Sequence, residues 1–228
     1  MTASRYQKIR DVLSQRQTDL TLLLEEVHKP HNVSAVIRSA DAIGVHNIHG
    51  VWEDNNTLRK GTSLGSQIWV KIHQHKCVKS AISHLKQQDM QVLVTHLDES
   101  AVDFRSIDYT KPTAIIMGQE KTGATDEAVA LADQSIVVPM VGMVQSLNVS
   151  VASAIILYEA QRQRHIAGMY NKPSITEQES QEILFEGGFP VLFNECVRRN
   201  LPFPIINDKG CIEASDDWWR VLQFSEER

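Results

Sequence analysis

Cysteine is scarce in this chain of 228 residues: Cys77, Cys196 and Cys211 are the only three, and no two form a CxxC pair. That argues against a disulfide framework and against a cysteine-rich zinc site. Long apolar runs are missing too. The longest, Ile136 to Val144, falls far short of the roughly 20 residues a membrane helix needs. The opening residues MTASRYQKIRDVL hold no apolar signal core. A soluble, reduced, cytoplasmic protein without a membrane partner is expected. No GxGxxG occurs, so an NAD-type Rossmann site has no support. GQEKTG (118–123) has the spacing of a phosphate loop. Ala124 comes after it, however, in place of the Lys that precedes the Ser/Thr position (here Thr125), and Glu120 would repel phosphate. His28 and His31, and His73 and His75, lack a third ligand at a known spacing, so no metal is expected. There is no internal repeat and no low-complexity tract.

An excess of positive charge is also lacking. Lys and Arg number 23 against 28 Asp and Glu, a net of −5, which does not mark a nucleic-acid binder. The deficit is local. Residues 173–228 hold 5 basic and 11 acidic residues, which leaves 18 and 17 over residues 1–172. Arg5, Lys8, Arg10 and Arg16 cluster near the start, and Arg162, Arg164, His165 and Lys172 precede the acidic tail. What is present in ordinary amount is core material: 42% of residues are hydrophobic and 22% charged, so a packed globular fold is expected.

Apolar residues in 4–16 fall near helical spacing. Short β-rich runs come next, at 21–27, 48–52, 91–95, 113–117 and 135–139. Several are almost continuously apolar, as strands covered on both faces tend to be. IWVKI (68–72) alternates and reads as an edge strand. Helical patterns lie between, at 33–43, 77–88, 126–132 and 148–165. This alternation predicts an α/β fold with a mostly parallel sheet. Beyond about residue 166 the character changes. Ser174 and Glu177 have capping-box spacing, EGGFP (186–190) breaks that helix, and a second lies near 190–200. After Pro202 and Pro204, Ser215, Asp216 and Asp217 would cap a last helix carrying Trp218 and Trp219.

Three segments carry chemistry. In KPHNVSAVIRSADAIG (29–44), Pro30 forbids an earlier helix start and Asn32 can cap the helix after it. Arg38 and Asp41 then stand at i,i+3, a spacing that on its own favours an ordinary exposed ion pair. In IIMGQEKTG (115–123) a buried strand ends in two glycines flanking Glu120. Ligands of parallel sheets bind beyond such strand ends. A solvated glutamate in a connecting loop is the plain alternative. In VVPMVGMVQSLNVSVASAIILYE (137–159) a strand runs into a mostly apolar loop, and Ser146 and Asn148 introduce a helix that is apolar or small on every side. Such a helix is expected to be buried all round, and the loop could line a pocket for a flat organic ligand.

In this order the three segments resemble the motifs of the SpoU branch of the SPOUT RNA methyltransferases, and the likeness spans about residues 1–228. The resemblance implies a SPOUT domain over 19–166 with a deep trefoil knot at about 91–160. It also implies an N-terminal helical extension (1–18) and a mainly helical C-terminal one (167–228). It implies S-adenosylmethionine as cofactor, with Thr95, Gly118, Val138, Met140 and Leu147 around it. The implied partners are tRNA and a second copy of the chain, which packs through the knot region. The implied reaction is methylation of the ribose 2′-hydroxyl of guanosine 18 in the D-loop of tRNA. Arg38, Asn32, Glu120, Ser146 and Asn148 are the implied catalytic group. Because a guanidinium is a poor base, Arg38 is expected to clamp phosphate and hydroxyl. Arg5, Lys8, Arg10, Arg16, Arg162 and Arg164 become candidates for RNA phosphate. Methylation of another tRNA or rRNA nucleotide, or a non-catalytic knotted RNA-binding protein, are the alternatives.

Overall fold

Leu20, Leu22, Leu23 and Leu24 are all fully buried. Successive strand residues face opposite ways, so such a run requires cover on both sides of a sheet. It lies in β1 (Gln17–Glu25), near the centre of a seven-stranded sheet. The computed structural model describes residues 1–52 and 68–223. The other strands of this sheet are β2 (Val45–Val51), β3 (Lys71–His75), β4 (Gln91–Thr95), β5 (Val102–Asp103), β6 (Thr113–Met117) and β7 (Gln134–Val137). Their order is β3-β2-β1-β6-β4-β7-β5, and every pairing is parallel. The predicted α/β class with a mostly parallel sheet is therefore the observed one. β3 is an edge strand, as IWVKI was expected to be, but it is shifted to residues 71–75.

Parallel neighbours need crossover helices. α2 (Pro30–Ala42) and α5 (Val149–Ile166) cover one face, over Leu22, Leu24, Ile48, Leu93 and Ile115. α3 (Val78–Lys86) and α4 (Asp126–Leu131) cover the other, over Leu23, Val92, Val94, Ala114 and Ile116. These elements make up one compact unit, Gln17–Lys172.

A second unit joins Met1–Arg16 to the chain from Pro173 onward. It contains α1 (Ala3–Ser14), α6 (Glu177–Gly188), α7 (Pro190–Arg199), α8 (Asp216–Gln223) and an antiparallel ribbon of β8 (Ile205–Ile206) and β9 (Ile212–Glu213). The two chain ends are stitched together here. The Met1 amino group donates to Gly210 O at 2.8 Å, and Arg10 pairs with Glu177 at 2.8 Å. Phe185 is ringed by Phe189, Phe193, Phe203 and Trp218. The cap of α6 is Thr176, whose hydroxyl accepts from Glu179 N. Ser174, the expected cap, instead donates to Arg16 O.

Candidate functional site

Thr95, Met117 and Val137 end β4, β6 and β7 on the same side of the sheet, as parallel strands must. A cleft of about 360 Å³ opens just beyond them. Its size falls within the ~300–1,000 Å³ of small-molecule sites. Thr95, Gly118, Val138, Met140 and Leu147, expected around the cofactor, all line it, together with Glu120 and Ser146. The wall is largely apolar, with Met117, Ile136, Val149 and Ala152 completing it. Gln119, Lys121 and Gln145 also line it, and the sequence pattern had not pointed to them. They sit inside the same loops, so their position next to the glycines was the available signal. The apolar loop after β7 is only partly used by the cleft. Val141 and Met143 are fully exposed in the single chain.

The loop after β6 is closed on itself. Gln119 N donates to Gly123 O at 3.1 Å and Gly123 N to Gln119 O at 3.0 Å. A Cβ on Gly118 would stand 2.1 Å from the backbone nitrogen of Ala124, so only glycine allows the two ends of the loop to touch. Gly123 has φ +73°, again a glycine conformation. Thr95 Oγ1 donates to Ile116 O at 3.0 Å and ties β4 to β6 beside the cleft.

A polar chain crosses from the cleft into α2. Asn148 Nδ2 donates to Asn32 Oδ1 at 3.3 Å, and Asn32 Nδ2 donates to Glu120 Oε1 at 2.5 Å. Asn148 is also the cap of α5, accepting from Ser150 N at 2.9 Å. Asn32 was expected to cap α2, but that helix begins at Pro30 and has Lys29 as its N-cap, with no side-chain cap bond. Asn32 thus sits in the first turn, buried, with its amide spent on Glu120 and Asn148. Asn32, Glu120 and Asn148 are brought together, and Ser146 lines the same cleft. Arg38 is not on the cleft wall of this chain: it lies exposed on α2.

The six basic residues divide. Arg164 is fully buried and corrects its expected role. Nε donates to Tyr109 O, Nη1 to Gln17 Oε1 and Asp19 Oδ1, and Nη2 to Asp19 O and Lys111 O. No donor faces solvent, so it is a structural clamp between α5 and β1 and cannot grip a phosphate. Arg16 is also fully buried and is corrected in the same way. Arg10 is held by Glu177 and Ser180, Arg162 by Glu159, and Arg5 reaches Gly187 O at 3.0 Å. Lys8 is exposed.

Among the described residues no group of three or more His, Cys, Asp or Glu is arranged to hold a metal. Four histidines nevertheless gather at the β2–β3 edge. His49 Nδ1 lies 2.8 Å from His75 Nε2, and the His49 ring stacks on His73 and sits beside His84. Burial and the neighbouring imidazoles push the pKa of His49 down to about 3, and those of His73 and His75 are lowered chiefly by burial as well.

The sequence model of the SpoU rRNA methylase family matches residues 19–158, and that of the SpoU rRNA methylase C-terminal region matches 162–215. The chain belongs to the SpoU methylase family. Its relatives include the tRNA (guanosine(18)-2′-O)-methyltransferase of Escherichia coli strain K12, 56% identical over 98% of this chain and 99% of that protein. Among solved structures, the TrmH/SpoU tRNA modifying enzyme of A. aeolicus is 41% identical. It covers 81% of this SpoU chain and 94% of its own, with a TM-score of 0.73. An AdoMet-bound rRNA methyltransferase from Sinorhizobium meliloti is 32% identical over 68% of this chain and 59% of that one, with a TM-score of 0.57. No helix among the described residues of this SpoU chain is long and apolar enough to cross a membrane.

Proposed function

We propose that this protein methylates the ribose 2′-hydroxyl of guanosine 18 in tRNA, using S-adenosylmethionine. The observation that carries the proposal is the 56% identity, over nearly the whole of both chains, to an enzyme of that name. The cleft fits the cofactor chemically. Apolar side chains of Met117, Ile136, Val138 and Leu147 suit a flat aromatic base, and the Glu120 carboxyl group suits a cation. When bound, the cofactor supplies an activated methyl group. Thr95, Gly118, Val138, Met140 and Leu147 are the residues that would hold it.

In this reading the chain's own task is to hold the ribose hydroxyl in line. Arg38, exposed on α2, offers a planar fork of donors to the neighbouring phosphate diester and the hydroxyl. Asn32 and Asn148 orient Glu120 at the cleft rim, and Ser146 supplies a further hydroxyl there. Exposed Lys8 is the basic candidate proposed to meet RNA phosphate. A homodimer and a threaded knot over about 91–160 belong to the same reading. In its support, α5 leaves Val151, Ile155 and Tyr158 exposed at i, i+4 and i+7, an apolar stripe that a second copy would cover.

Incubation with labelled S-adenosylmethionine and an unmodified tRNA transcript, followed by mapping of the methylated nucleotide, tests the proposal. The expected product carries 2′-O-methylguanosine at position 18 alone. Label at another nucleotide, or none, refutes it. Arg38→Ala is expected to lose methyl transfer while cofactor affinity by calorimetry stays within about twofold, since Arg38 does not line the cleft. Wild-type turnover in Arg38→Ala would sink the clamp.

A further inference from the structure

We propose that Glu25, a buried residue outside the cleft, is a positioning residue that anchors the Gly118–Gly123 loop for cofactor binding. The proposal rests on the reading of the cleft as the S-adenosylmethionine site. Glu25 ends β1 and is only 3% exposed. A buried carboxyl group is costly unless its oxygens are hydrogen-bonded. Here one residue takes both: Thr125 N donates to Oε2 at 3.0 Å and Thr125 Oγ1 donates to Oε1 at 2.6 Å. The same Thr125 hydroxyl accepts from Ala128 N at 3.2 Å as the N-cap of α4. Its proton and one lone pair are therefore both committed, and the side chain is locked.

Thr125 lies just past the loop. Ala124 stands against Gly118 so closely that no Cβ fits, and the Gln119–Gly123 pair closes the ring between them. Fixing Thr125 therefore fixes where Gln119, Glu120 and Lys121 meet the cleft. The other end of the device is seven residues along the chain from Glu25. The segment from Glu25 leads into α2, where Asn32 donates to Glu120. That link is itself stiff: Trp52 Nε1 donates to Val27 O at 3.0 Å and Glu26 N to Val51 O at 3.0 Å. Segment 25–32 thus holds segment 118–125 at two points, Asn32 on Glu120 at the rim and Glu25 on Thr125 at the base. A single tie would let the loop pivot; two set its register.

The test uses Glu25→Ala, Thr125→Val and Thr125→Ser in the full chain. Cofactor Kd is read by calorimetry and amide hydrogen exchange at Gln119 and Gly123 is read without cofactor, both on protein shown to be folded. Glu25→Ala is expected to weaken S-adenosylmethionine about tenfold or more, the scale of losing hydrogen bonds to a carboxylate. Exchange at Gln119 and Gly123 should quicken while tRNA affinity is unchanged. Thr125→Val keeps its N–H to Oε2 and should move both readouts in the same direction by less. Thr125→Ser restores both bonds and should behave as wild type. If Glu25→Ala does not fold, Thr125→Val decides. Wild-type exchange and wild-type Kd in the folded variant overturn the anchor. If the wild-type protein itself fails to bind S-adenosylmethionine, the reading of the cleft falls, and the exchange experiment alone then decides the anchor.

Discussion

Arg162 and Arg164 stand two residues apart on α5 and do opposite things. Arg162 lies in solvent against Glu159, an i,i+3 pair at 2.7 Å. Arg164 is fully buried and donates to Asp19, to Gln17 and to the backbone carbonyls of Tyr109 and Lys111. Exposed pairs contribute at most ~1 kcal/mol, whereas breaking a buried one costs ~3–5 kcal/mol because its partners are left unsatisfied. Urea unfolding of Arg164→Met is therefore expected to show a loss near the upper figure, and Arg162→Ala a far smaller one, because solvent screens that exposed pair. Equal losses would show that the buried network is not what holds α5 to β1. Nothing local distinguishes these two arginines in the sequence. The partners of Arg164 lie up to 147 positions away, and only the fold brings them together.

At the scale of elements, the β2–β3 edge makes stability depend on pH. His49 has its pKa lowered to about 3, against ~6.5 in an unfolded chain. As pH falls below ~6.5 the unfolded chain takes up the proton first, so stability present at neutral pH is lost between ~6.5 and 3, by up to ~1.4 kcal/mol per pH unit for one site. His73 and His75 shift the same way and add to it. Urea midpoints of His49→Asn measured at pH 7.5 and pH 5 should differ less than those of wild type; an equal difference would place the acid sensitivity elsewhere. Elements of this kind were unevenly legible. TAIIM and QVLVT stand as β6 and β4 over the residues expected, because a strand buried on both faces writes its length in apolar residues. The helix at Pro30 starts three residues earlier than the pattern indicated, since proline is well suited to a first helical position. Asn32 looked like a cap because the residue that claims it, Glu120, is 88 positions distant. The two-residue strands β5, β8 and β9 carry no periodicity to read. The cleft residues were legible because strand-end glycines and an apolar loop are local features, whereas the tie between Glu25 and Thr125 spans 100 positions and was not.

For the whole molecule, the proposed dimer turns on the stripe along α5. The sequence pattern pointed to a helix buried all round, and a single chain leaves Val151, Ile155 and Tyr158 open. Ile155→Glu places a charge in that stripe, and light scattering is expected to show a monomer where wild type is a dimer. A dimer of undiminished mass in the variant would move the interface elsewhere. The joining of the two chain ends has a consequence of another kind. A ribosome makes α1 well before the groups that receive it: Glu177 comes 167 residues after Arg10, and Gly187 comes 182 residues after Arg5. β1 likewise waits for β6, its partner from Leu20 to Thr113 onward. Until then the leucines of β1 have β2 on one side but lack their second strand neighbour. Closure of each unit therefore waits on residues synthesised long after the ones they cover, a topology that slows folding.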